Sequence, residues 1–146
     1  MIRNALKFPP VLVFVIILIC GTVVNVAAIF YTESDSMQKM YFLNPSAVLT
    51  SMEVKKPGRI DIMITTGSEG DYSGWVAVVY VYGPDGKLFD VRYGTIDNTG
   101  NAIINVWFGK LVPSGNYTIL PAVGFDSTHL SIGEPVFLKV TGGDGE

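Results

Sequence analysis

The chain has 146 residues, ten basic against thirteen acidic, for a net charge of −3, and only one cysteine and one histidine. That length fits one membrane helix and one domain of about 100 residues, and leaves no room for a second folded domain. Arg3 and Lys7 are the only charged residues before Glu33, so the remainder carries eight basic against thirteen acidic residues, or −5. An acidic domain without a Lys/Arg cluster excludes nucleic acid as a partner, because such binding rests on neutralising phosphates. Lys55-Lys56 with Arg59 reads as a solvated turn.

Residues 1–10 form a basic N-terminal segment, and residues 11–31 (VLVFVIILICGTVVNVAAIFY) contain no charge. Twenty-one helical residues at about 1.5 Å each span about 32 Å, the thickness of a bilayer core. Arg3 and Lys7 in front and Glu33 and Asp35 behind place the N-terminus in the cytoplasm and the bulk of the chain outside. The expectation is a single-pass protein of the cell membrane with an extracytoplasmic C-terminal domain. Val26-Ala27-Ala28 offers a cleaved signal peptide as the rival reading, but the apolar stretch is longer than a signal core. A lipoprotein site at Cys20 is disfavoured by the bulky Ile19 before it, and the cleavage site and early Glu of a type IV pilin are absent. With Cys20 inside the span, the outer domain has no disulfide and must cohere by packing.

On a helix, Gly21, Asn25, Ala28 and Thr32 fall at i, i+4, i+7 and i+11, one stripe of small or weakly polar residues on a bulky surface. Such a stripe admits a second transmembrane helix and gives Asn25 a partner; a lone anchor tolerating one Gly and one Asn is the alternative.

Residues 32–45 read as a stalk, with Asn44-Pro45 as a turn and Met40-Tyr41-Phe42-Leu43 available to the bilayer interface or to the domain. Beyond it the pattern changes to alternation. In 59–65 (RIDIMIT) three isoleucines fall on one face, as in a half-buried strand. About seven strands are expected, near 47–54, 59–66, 75–82, 87–93, 102–108, 116–123 and 135–141. Lys56-Pro57-Gly58, residues 67–71 (GSEGD), 84–87 (PDGK), 97–101 (DNTGN) and 113–116 (PSGN) supply the turn chemistry between them. The fold class is therefore all-β, an immunoglobulin-like sandwich over 46–141, with a flexible tail over 142–146.

The segment 75–123 resembles a prokaryotic immunoglobulin-like or fibronectin-like module: Trp75 opens a central strand, PDGK makes a hairpin, DNTGNA leads into a strand and PSGNYTI opens another. Tyr117 resembles a tyrosine corner, its ring inward and its hydroxyl bonded to backbone across the loop. The inter-sheet disulfide of antibody domains is missing, so the resemblance points to other cell-surface sandwiches.

No catalytic constellation is expected. Residues 126–129 (DSTH) lie adjacent in one loop, whereas a nucleophile–base–orienter set draws on distant segments. Blue copper needs two His and a Cys. Residues 97–101 (DNTGN) lack the spaced carboxylates and closing Glu of a calcium loop and read as a hairpin turn. No cofactor is therefore expected. Asn116-Tyr117-Thr118 is a glycosylation sequon, read as lying on an outside loop.

In the strand at 75–82 both faces are apolar. One must line the core; Val76, Val78, Tyr80 and Tyr82 form the other, to be covered within the sandwich, by the stalk or by another subunit.

The expected function is a non-catalytic, membrane-anchored interaction module docking onto a cell-envelope, filament or membrane partner. Its layout resembles that of the membrane-anchored β-sandwich stator proteins of archaeal motility machinery. The alternative is a small accessory subunit of a membrane oxidoreductase complex, similar in layout to the small subunit of thiosulfate–quinone oxidoreductases. The expected partners are the lipid bilayer and a protein met through the helix or a sandwich face.

Overall fold

The structure, a computed structural model, describes residues 35–142. The membrane helix expected at 11–31, with its Gly21/Asn25/Ala28/Thr32 stripe, lies outside the described residues. Among those described, no helix is long and apolar enough to cross a membrane. Lys39 onward forms a compact unit of its own.

That unit is built from nine strands: β1 (Ser46–Leu49), β2 (Glu53–Lys55), β3 (Gly58–Thr65), β4 (Val76–Tyr82), β5 (Leu88–Thr95), β6 (Asn101–Phe108), β7 (Gly115–Gly124), β8 (Leu130–Ile132) and β9 (Val136–Thr141). They form two sheets. One has the order β1-β3-β6; the other runs β2-β9-β7-β4-β5, with β8 paired to part of β7.

Alternation dictates the smaller sheet. In β3 and β6 every second residue is buried: Ile60, Ile62 and Ile64 lie opposite Val106, Ile104 and Ala102. These face Ala77, Val79 and Val81 of β4 and Tyr117, Ile119 and Val123 of β7 across one core. Full burial of an aliphatic side chain contributes about 1.5–3 kcal/mol, and in the absence of a disulfide among the described residues this core holds the two sheets together.

Nine strands stand where about seven are expected, and the division of the first and one added short strand account for the difference. The run expected as one strand at 47–54 divides, because the chain leaves the smaller sheet after Leu49 and joins the larger one at Glu53. The Thr50 N–H still donates to the Asp61 carbonyl, and the Met52 carbonyl accepts from Lys139 N–H, so the crossing is at Ser51. β2 then runs parallel to β9. The extra strand β8 is three residues long, too short to show a period.

The segment read as a stalk contributes to the sandwich. Leu43 is buried in the core with Met40 packed against it, the Asn44 N–H donates to the Thr66 carbonyl at 3.0 Å, and the Ser68 hydroxyl donates to the Phe42 carbonyl. The compact unit thus begins before residue 46, because the apolar side chains at 40 and 43 find core to cover.

At the opposite end, the Tyr117 hydroxyl donates to the Pro113 carbonyl at 2.8 Å, and its fully buried ring meets Phe89 and Phe108 edge-on. The tyrosine corner is present. Lys56, read as solvated, is instead buried. Its stem lies against the domain and its ammonium donates to the Val112 carbonyl at 2.5 Å, as an amphipathic side chain can.

Candidate interaction surface

Because β4 is apolar on both sides, the larger sheet has an outer face unlike the polar exterior usual for a solvated antiparallel sheet. Ala77, Val79 and Val81 point to the core, while Val76, Val78, Tyr80 and Tyr82 line the outside together with their cross-strand neighbours. One row runs Ile132–Ala122–Val78–Tyr93 and the next centres on Leu120–Tyr80–Val91. A third runs Phe137–Thr118–Tyr82–Leu88, the last pairing following a bulge after Val81. Val78 and Ala122 are fully buried yet lie off the core cluster. The exposure is at the row ends, where Ile132, Tyr93 and Phe137 are 62, 64 and 62% accessible. The four residues singled out in sequence therefore form the covered middle of a wider apolar face, with Val78 buried and Val76, Tyr80 and Tyr82 half-buried. Its rim was not legible, because Ile132 sits on the short β8 and Phe137 and Tyr93 become neighbours of β4 only through sheet order.

The smaller sheet also carries apolar groups outward. Val48, Met63 and Ile103 form one row across all three strands. With Leu49, Thr50 and Asp61 they line an open hollow of about 260 Å³. Asn105 donates from Nδ2 to the Asp61 carboxylate at 2.6 Å, and Arg59 pairs with the same carboxylate at 3.3 Å.

The loop containing His129 is closed on itself. Asp126 accepts from the Thr128 hydroxyl at 2.7 Å and from the backbone N–H groups of Thr128 and His129, and its carboxylate lies 2.9 Å from His129 Nδ1. The bonds from Thr128, then from His129, hold the Asp126 carboxyl far below the usual carboxylate range. The imidazole stacks on Phe125, which meets Trp75 edge-on, and Trp75 in turn meets Tyr72. These bonds organise the turn.

Asp97 behaves similarly, accepting from the Thr99 hydroxyl at 2.6 Å and from the N–H groups of Thr99 and Asn101. Those bonds, the hydroxyl first, lower its pKa. The carboxylate is engaged in closing the turn between β5 and β6. Among the described residues no group of three or more His, Cys, Asp or Glu is placed to hold a metal ion. Asn116 of the sequon is exposed but belongs to β7, opposite Lys139, and not to a loop, because the strand begins at Gly115 directly after the turn.

No protein-family model matches the chain, and no curated protein matches it. Among solved structures, the chain is similar to the CARDB domain of a Pyrococcus furiosus protein crystallised in complex with di-metal ions, at 12% identity and a TM-score of 0.42. The match covers 67% of this chain and 91% of that one.

Proposed function

We propose that this chain is a membrane-anchored, extracytoplasmic interaction module that contributes binding and no chemistry of its own. The observation that carries the reading is the outer face of the larger sheet, where three consecutive cross-strand rows are almost wholly apolar and end in exposed Ile132, Tyr93, Phe137 and Leu88. Large contiguous apolar patches on folded domains mark contact sites. The charge-free run at 11–31 supplies the anchor, and the basic residues before it set the orientation. An anchored sandwich with an apolar face fits docking onto an envelope or filament protein beside the membrane.

The test is purification of the full chain in mild detergent followed by mass spectrometry of what accompanies it. Recovery with envelope or filament proteins supports the docking reading. Recovery with a multi-span, cofactor-bearing subunit overturns it in favour of an accessory-subunit role.

A further inference from the structure

The two sheets leave several strand edges without a neighbour, and all but one are blunted. An open edge offers a row of N–H and C=O groups to any other chain, and folded proteins protect it by shortness, charge or bulges. β1 has four residues, and β2 and β8 have three each. β5 has eight residues, but it carries Asp90 and Arg92, paired to each other at 2.8 Å, and lies beside the bulge at Val81/Tyr82.

β6 has none of these devices. Its eight residues, NAIINVWF, include no charge and no proline, and all eight pair with β3 in unbroken register. Every second residue of such a strand turns its backbone N–H and C=O away from its one neighbour. Of these outward groups only the two of Asn101 have a partner among the described residues, both on Asp97: the carbonyl accepts from the Asp97 N–H, and the N–H donates to the Asp97 carboxylate. The outward side chains are Ile103, Asn105 and Trp107, with Ile103 70% and Trp107 56% accessible.

These three side chains read the same in both directions: apolar, amide, apolar. We propose that β6 pairs with β6 of a second copy, antiparallel and centred on Asn105, joining two three-stranded sheets into one of six strands. A two-fold axis through that centre sets Asn105 beside Asn105 of the other copy, and Ile103 opposite Trp107 on each side. Apolar then meets apolar and amide meets amide. Centring on Ile104 instead opposes Ile103 to Asn105, and Trp107 to Asn101. The outer and inner faces also stay continuous, with Ala102 and Ile104 facing Phe108 and Val106 of the other copy. Cross-strand apolar pairs of this kind are the unit of sheet stabilisation. The inference does not depend on the membrane anchor or on the face of the larger sheet.

Cysteine cross-linking reads the register directly. In the full chain in detergent, with Cys20→Ala removing the native thiol, Asn105→Cys places two thiols on directly opposed residues. Their Cα atoms are then about 4.5–5.5 Å apart, within disulfide range. Ile103→Cys alone leaves its thiols offset by four residues, about 13 Å, and unable to join. The expected result is a disulfide-linked dimer from Asn105→Cys and none from Ile103→Cys, with a mixed dimer when Ile103→Cys and Trp107→Cys chains are combined.

Native mass spectrometry of the otherwise unmodified chain should show a dimer that Ile103→Lys weakens at least tenfold, with the circular dichroism of the domain unchanged. A monomer throughout overturns the proposal. So does cross-linking equally efficient at 103 and 105, or a dimer indifferent to Ile103→Lys, which would place self-association elsewhere, as at the Gly21/Asn25 stripe. Recovery bound edge-on to a different protein's strand also overturns it.

Discussion

Replacing Tyr117 tests how the sandwich is closed at the end where β6 turns into β7. Tyr117→Phe removes one hydroxyl and its 2.8 Å bond to the Pro113 carbonyl, while the ring keeps its edge contacts with Phe108 and Phe89 at 5.2 and 5.4 Å. A net hydrogen bond contributes about 0.5–1.5 kcal/mol. Pro113 is exposed, so water can take over its carbonyl, and the cost should be about 1 kcal/mol. Tyr117→Ala also empties a fully buried ring site and should cost about 3–5 kcal/mol.

Urea unfolding of the compact unit from Lys39 onward measures both. With a slope of about 1–3 kcal/mol/M, the Phe variant should lower the midpoint by roughly 0.3–1 M and the Ala variant several times further, at unchanged slope. Burial first, and Asp85 second, raise the Tyr117 pKa above the ordinary tyrosine value of 10.0. The unfolded chain therefore releases this proton first. Stability from the neutral phenol is complete below pH 10 and declines as pH rises toward the folded value. That decline should disappear in Tyr117→Phe. A Phe variant as stable as the parent, or as damaged as the Ala variant, would refute the corner's role.

Gly124→Ala should destabilise the domain by at least about 2 kcal/mol in the same assay, because a Cβ there would lie 1.7 Å from the His129 carbonyl where β7 meets β8. A neutral outcome would mean that β8 yields readily. Asp126 has a depressed pKa, so its contribution is present above pH 3.8 and lost as pH falls toward the folded value; Asp126→Asn should lower stability at neutral pH and flatten the acid limb of a pH titration. An unchanged acid limb would show that the loop bonds do not persist in solution. Tyr93→Glu with Phe137→Glu should leave stability within about 0.5 kcal/mol per site, both being exposed, while abolishing partner recovery from detergent extracts. Full recovery would remove the outer face as the docking site.

Much of this architecture was legible in the alternation of RIDIMIT and NAIINV, since a period of two with one apolar face has few solutions other than a half-buried strand. The turns were equally plain, and PDGK forms its hairpin through Gly83, Gly86 and Asp85 as its residue types suggest. The sheet switch at Ser51 was not legible, because residues 46–55 contain no Gly or Pro after Pro45 to announce it. Leu43 was visible as one of four apolar residues open to the bilayer interface or to the domain, but a run of four before an Asn-Pro turn gives no period to decide between the two.

At the candidate surface, the double-sided apolarity of β4 was visible in sequence, but the extent of the face was not. Phe137 and Tyr93 are 44 residues apart and lie on strands that the topology places on either side of the β7–β4 pair. The open edge of β6 is likewise a property of strand order. Its sequence looks like that of any core strand until its second neighbour is found to be missing.

Thiol labelling in intact cells tests the central claim, that this sandwich is held outside the membrane by the apolar run at 11–31. Ser127→Cys in a Cys20→Ala chain sets one thiol in the exposed loop between β7 and β8. A membrane-impermeant maleimide should label that thiol in intact cells as fully as after lysis, with the labelled chain remaining in the membrane fraction after an alkaline wash. Labelling only after lysis, or release of the chain by the wash, would contradict the account.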